Sequence, residues 1–176
     1  IYKSAQMDQE AIVIWREVLE IRRSMNDIEG VSNAMAALGR SYFQLGMEQE
    51  LELVYQDATV LYNVLEKSAD NLNSVHALGR FFYSTEKYEE AVPVLQTVLN
   101  MAQAAGDHEQ IAEIFISLGQ AHRQLGDYDQ AAVLLEDANR LLMDLGRTDG
   151  QARVLEMLAN LFGSTERYRN MIEVVD

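Results

Sequence analysis

Apolar and polar positions follow a helical rhythm along this chain, and the rhythm itself recurs. Between residues 31 and 45, Met35, Leu38, Gly39, Tyr42 and Leu45 fall at i, i+3, i+4, i+7 and i+10, the single stripe of an amphipathic helix. Further along, Ala91, Leu95, Val98 and Ala102 mark a second helix of the same period, and breaks at Gly46, Thr85, Gly126 and Thr165 separate the two kinds. The dipeptide Leu-Gly returns at Leu38-Gly39, Leu78-Gly79 and Leu118-Gly119, with Leu158-Ala159 as a worn copy. Tyr2, Tyr42, Phe82, His122 and Phe162 share one slot of this forty-residue register, and Ala11, Leu51, Ala91, Ala131 and Met171 share another. One helical hairpin has therefore been copied about four times, which predicts an all-α solenoid of antiparallel helix pairs.

The register divides the chain into a single array: a partial repeat over 1–28, full repeats over 29–68, 69–108 and 109–148, and a truncated repeat over 149–176. Tyr2 matches Tyr42, so the chain is expected to open in the middle of a first helix. Gly39, Gly79 and Gly119 each cost their helices about 1 kcal/mol against Ala, so close packing must offset them, with Ala91 and Ala131 as the small residues opposite. Leu51 and Met171 fill that slot with bulk, and repeats one and four should pack less regularly. Core slots bared at the two ends, such as Phe162, Met171 and Val175, predict self-association.

The motif L-G-x-x-[YFH] followed by [LT]-G-x-Y-x-x-A, as in Leu125-Gly126-Asp127-Tyr128-Asp129-Gln130-Ala131, resembles the tetratricopeptide repeat (TPR) family. The commonest member has a period of 34, so forty residues imply about six more, or roughly 9 Å of added helix, expected in the second helix. Forty-residue repeats with this signature resemble those of the Pins-type spindle-orientation adaptors and of bacterial TPR proteins. The resemblance covers essentially the whole chain and implies a right-handed superhelical solenoid whose first helices line a concave, peptide-receiving groove.

Charge narrows the partner. Fourteen Lys and Arg against 28 Asp and Glu give a net charge of −14, which repels a phosphate backbone and anionic lipid. Nucleic acid and membranes are therefore excluded as expected partners. Without cysteine there is no disulfide framework, thiolate metal site or cysteine nucleophile, and with no signal peptide or roughly 20-residue apolar run a cytoplasmic chain is expected. The three histidines sit on separate elements, so no metal and no cofactor is expected. Asp127-Tyr128-Asp129 opens like a calcium loop but lacks the later ligands. No Ser-His-acid set or phosphate loop appears, and the chain is read as no enzyme. His122 and Trp15 occupy core slots and are expected to be packed, His122 with a hydrogen-bond partner.

At 100° per residue, the first-helix face opposite the core stripe carries Asn33, Ala36, Arg40 and Gln44 in the first full repeat and Asn73, His76, Arg80 and Ser84 in the second. The third offers Glu113, Ile116, Gln120 and Gln124, with Arg123 at the margin, and the last Arg153, Glu156, Asn160 and Ser164. The resemblance turns this exposed face toward a ligand, and Asn33, Arg40, Asn73, His76, Arg80, Gln120, Arg123 and Asn160 are the candidate peptide-binding residues. Arg40 and Arg80 share one slot, and packed helices lie about 8–10 Å apart. An extended segment advances about 3.3 Å per residue, so acidic residues three apart would meet both guanidiniums. The alternative is that local carboxylates neutralise both. The two-carboxylate clamp of chaperone cochaperones is not matched, since Ala36, Ala77, Arg40, Glu113 and Ser117 stand where that family member has its basic and amide residues. The expected function is a scaffold that binds an extended acidic or polar segment of another protein. The alternative is a sensor segment of a larger signalling or transcription-regulatory protein, holding a small molecule or signal peptide.

Overall fold

A computed structural model describes residues 2–164, with the side chains of 2–8, Ala69 and Ser164 left aside. Eight α-helices follow one another: α1 (Tyr2–Ser24), α2 (Ile28–Gln44), α3 (Glu48–Leu65), α4 (Leu72–Ser84), α5 (Tyr88–Ala105), α6 (His108–Gln124), α7 (Tyr128–Asp144) and α8 (Thr148–Ser164). Among the described residues there is no β-strand. The chain divides into two compact units, 1–98 and 99–176, the division falling within the sequence of α5.

The turns are copies of one another. Asn26, Gly46, Glu86, Gly106, Gly126 and Gly146 all have positive φ, and at each the next residue's amide bonds back to a carbonyl five positions earlier, as in Met47 N to Tyr42 O at 2.9 Å and Asp127 N to His122 O at 2.9 Å. This is the Schellman closure of a helix C-terminus. After three of these turns an aspartate caps the new helix: Asp27, Asp107 and Asp127 accept hydrogen bonds from the amides of Gly30, Gln110 and Gln130. The left-handed residues stand twenty positions apart except at 66, where Glu66 is right-handed and a 3-10 turn over Ala69–Asn71 leads into a shorter α4.

Two expectations change here. α1 runs unbroken through residue 6, where the forty-residue register calls for a turn, because Gln6 stands in the slot of Gly46 and nothing there favours a left-handed backbone. The extra length of the repeat is shared between both helix types, since α2 and α6 have 17 residues each against 18 in α3 and 17 in α7.

In the first unit α2 packs against α1, α3 and α4. Its core joins Leu38, Tyr42, Val54 and Ala58 to Val75, Leu78, Phe81, Phe82, Val94, Leu95 and Val98, all buried. Tyr55 stacks beside Phe81 and Phe82 at 5.2 and 6.0 Å between ring centres. In the second unit Ala112, Ile116, Ala131, Leu135, Ala138, Leu142, Val154, Leu158, Leu161 and Phe162 form one core. Phe162 is thus buried rather than bared, while Met171 and Val175 lie outside the described residues.

Gly39, Gly79 and Gly119 each stand at a close approach, though not all to the residues expected. A Cβ on Gly119 would meet Leu135 at 3.0 Å and the carbonyl of Ala131 at 3.3 Å. On Gly79 it would meet Leu95 at 2.8 Å and Val94 at 3.4 Å, not Ala91. On Gly39 it would fall inside the ring of Phe81, a residue of α4. Trp15 is half-buried, as is Tyr55 in the same slot, whereas Leu95 and Leu135 are fully enclosed.

Candidate peptide-binding face

The predicted ligand face divides once its burial is known. Asn33 and Asn73 are exposed, Arg40 is half-buried and Arg80 exposed. Ala36 and Ile116, expected on the same face, are buried. The reason for Ala36 is that α2 and α4 lie side by side, so the slot between the candidate rows is covered by the neighbouring first helix. Ile116 joins the core of α7 and α8. His76 occupies that same slot on α4 and is half-buried, with its Nε2 enclosed and no hydrogen-bond partner among the described residues.

Arg40, His76 and Arg80 come together in the first unit. Burial lowers the Arg40 pKa, and the charge of Arg80 lowers it further. Burial likewise pushes the His76 imidazole below its usual range, with Arg80 adding to the effect. Arg80 thus lies close enough to both for its charge to disfavour theirs. Among the described residues no carboxylate pairs with either Arg40 or Arg80. Arg22, Arg23, Lys87, Arg140 and Arg147 are paired instead, with Asp27, Glu20 and Asp57, Glu90, Asp137, and Glu109 respectively.

Asn33 lies on the wall of a cavity of about 450 Å³ with Trp15, Arg22, Asp27, Glu29 and Gly30. In the second unit Gln120 is half-buried and its amide approaches the sulfur of Met157 at 3.8 Å, whereas Arg123 and Asn160 are exposed. A cavity of about 410 Å³ there is lined by Glu109, Glu113, Arg147, Asp149 and Arg153 over the apolar floor of Ile116 and Leu142. The ion pair of Arg147 with Glu109 spans 38 residues, and the helical periodicity carried no sign of it. His122 is packed and its Nδ1 lies 3.2 Å from Asp127 Oδ2, as its slot predicts. Asp127 is a helix cap rather than a calcium ligand, and among the described residues no group of His, Asp and Glu is arranged to hold a metal.

Residues 70–144 match the family model described as tetratricopeptide repeat. Tetratricopeptide repeat protein 29 of Trypanosoma brucei brucei (strain 927/4 GUTat10.1) is 23% identical over 163 residues, covering 89% of this chain and 34% of that protein. The nearly identical TPR-like repeats of a kinesin-light-chain candidate from Podosopora anserina superpose with a TM-score of 0.71 at 21% identity, over 99% of this chain and 86% of that one. Residues 70–144 are thus tetratricopeptide repeats, and the described chain has the fold of TPR-like repeats. The chain spans about a third of the length of the curated relative it matches. BtubC (BKLC) of P. vanneervenii shares the repeat fold at a TM-score of 0.69 and 18% identity, over 94% of this chain and 71% of that one. A Rap protein complexed with Competence and Sporulation Factor shares it at 0.60 and 13%, over 97% and 48%. Tetratricopeptide repeats are protein-interaction scaffolds in general, and no helix among the described residues is long and apolar enough to cross a membrane.

Proposed function

We propose that this chain is a cytoplasmic, non-enzymatic tetratricopeptide-repeat adaptor of the forty-residue-period kind, whose α2 and α4 face binds an extended acidic segment of a partner protein. The observation that carries the reading is the pair Arg40 and Arg80, two guanidiniums in adjacent first helices without a carboxylate partner among the described residues, in a chain of net charge −14. Holding them together costs free energy that an anionic ligand would recover through charge-assisted bonds. Asn33 and Asn73 on the same helices would add hydrogen bonds to the backbone of the segment, as Gln120, Arg123 and Asn160 would on the first helices of the second unit.

The test is fluorescence anisotropy of a labelled peptide with glutamates three apart, titrated with the native chain and with Arg40→Gln, Arg80→Gln. Loss of one charge-assisted bond costs about 1.5–3 kcal/mol, so each substitution is expected to weaken binding by about tenfold or more, and binding is expected to weaken with salt. Equal affinity of the native chain and the double variant, with the helical circular dichroism unchanged, would remove the reading. A second reading, a sensor segment holding a small molecule or signal peptide, draws on the 410 Å³ cavity with Glu113 and Arg153 in its wall and on the likeness to the Rap protein complexed with its factor. It predicts a thermal shift with one dipolar ligand class, unaffected by Arg40→Gln.

A further inference from the structure

The forty-residue register separates apolar residues that the repeat needs from those that it does not. On α3, Leu53, Val60 and Val64 are 63%, 65% and 64% exposed. The slot of Leu53 is apolar in every copy, holding Val13, Pro93 and Val133 elsewhere. The other two slots are not. Val60 stands where the other second helices carry Glu20, Asn100 and Arg140, and Val64 where they carry Ser24, Ala104 and Asp144, all of them exposed. Both slots therefore point outward in each copy. Only α3 fills both with valine, a β-branched residue of lower helix propensity that gains nothing there from burial within the chain.

A single exposed apolar side chain is ordinary on a protein surface, but these three form a line. At 100° per residue Leu53, Val60 and Val64 fall within about 40° of one another around α3. The line runs about 16 Å along the helix. A hollow lies on each side of it. One, of about 370 Å³, has Tyr55, Thr59, Val60 and Phe82 in its wall; the other, of about 260 Å³, has Val31, Met35, Val60, Leu61 and Val64. Helices α4 and α5 contribute to the first hollow and α1 and α2 to the second. The stripe thus lies between its neighbours in the first unit, away from either end of the described chain.

Charge decides what fits such a stripe. α3 carries Glu48, Glu50, Glu52 and Asp57 and no Lys or Arg, and residues 86–98 add three glutamates against Lys87 alone. Asp57 is paired with Arg23 and Glu90 with Lys87, which leaves an acidic excess around the apolar line. A second copy would set like charges against each other, and an anionic lipid surface would be repelled. We propose that the Leu53, Val60 and Val64 stripe of α3 docks an amphipathic helix of a partner protein. Its apolar residues enter the two hollows, and its Lys or Arg side chains face the carboxylates of α3 and α5. The site takes a basic helix where the Arg40 and Arg80 face takes an acidic segment, and it is independent of that reading.

The test is fluorescence anisotropy of a labelled peptide of about five helical turns, with leucines along one face and lysines beside them. It is titrated with the native chain, with Val60→Asn and Val64→Ser, which place in α3 the residue types of Asn100 and Ser24, and with Glu52→Gln. Circular dichroism checks the folding of each. Each valine substitution is expected to weaken binding by about tenfold, the worth of one buried valine side chain. Glu52→Gln should weaken it less and flatten its salt dependence, and Arg40→Gln should leave it unchanged. The same residues in scrambled order, or glutamates in place of the lysines, are expected to bind about tenfold more weakly or worse. Absence of binding to the native chain, affinity unchanged in both valine variants, or equal binding of either control peptide would each overturn the proposal. So would sedimentation showing that the native chain self-associates and that Val60→Asn abolishes it, since the occupant would then be a second copy.

Discussion

Gly39→Ala tests whether the close approaches between helices are as tight as they look. Ala gains about 1 kcal/mol over Gly in a helix interior, so in an open position the substitution stabilises. At Gly39 the new methyl would enter the ring of Phe81, which is fully buried and held on both sides by Tyr55 at 5.2 Å and Phe82 at 5.3 Å. The ring cannot turn aside, and overpacking of this kind costs about 1–3 kcal/mol; here the upper end applies. The net expectation is a loss of about 2 kcal/mol, or a fall in Tm of about 4–8 °C for a chain of this size. Gly79 meets the flexible end of Leu95 at 2.8 Å and Gly119 meets Leu135 at 3.0 Å, side-chain contacts that a rotamer shift relieves, while the Ala131 carbonyl at 3.3 Å from Gly119 asks only for a few tenths of an ångström of backbone give. Gly79→Ala should therefore lose under about 1 kcal/mol, and Gly119→Ala should be near neutral. Urea unfolding followed by circular dichroism measures all three. In a Phe81→Leu background the cost of Gly39→Ala should largely vanish, since the obstructing ring is gone. A Gly39→Ala chain as stable as the native one, or a cost unchanged in that background, would refute the packing argument.

Two further outcomes follow from single residues. Glu86 holds φ +62° in a turn whose equivalents at 46, 106, 126 and 146 are glycine; Glu86→Gly should raise stability by about 1 kcal/mol by relieving the left-handed strain, read as an upward Tm shift. His76 has its pKa lowered by burial and by Arg80, so the unfolded chain takes up a proton more readily than the folded one. Stability should therefore fall as pH drops through the ordinary histidine range, then level off below the folded pKa, a dependence that His76→Gln should remove from pH-dependent urea midpoints. An acidic ligand would neutralise part of that potential, so binding should take up protons, measured by calorimetry in buffers of differing ionisation enthalpy.

The forty-residue register was legible because each slot carries the same packing demand in each copy: Tyr42 and Phe82 are buried together, as are Ala91 and Ala131. The face assignment was legible only in part. A helical wheel treats each helix alone, so it put Ala36 and Ile116 on the ligand side, but neighbouring helices bury both. Likewise the wheel could place Arg40 and Arg80 in one row without saying whether a carboxylate answers them, because ion pairs such as Arg23 with Asp57 join residues far apart in sequence. Trp15 and Tyr55 are half-buried in the slot where Leu95 and Leu135 are enclosed, because the larger rings reach past the seam. The recurrence at twenty residues is masked in the sequence because the left-handed position is filled by Asn26, Glu86 and four glycines, residue types that share a conformation without sharing a chemistry.

That shared turn changes what counts as the unit of inheritance. Because six of the seven intervals between the described helices are bridged by the same closure and only the stretch around Glu66 departs from it, the chain is written in lines of a single helix, two to the stanza. A duplication or loss of one line would keep every turn intact and yet exchange inward for outward faces along all that follows, whereas two lines restore the sense. Length can therefore vary in such a molecule only in even steps, except at the irregular passage between α3 and α4, where the metre is already broken and a few residues gained or lost disturb no copy of the turn.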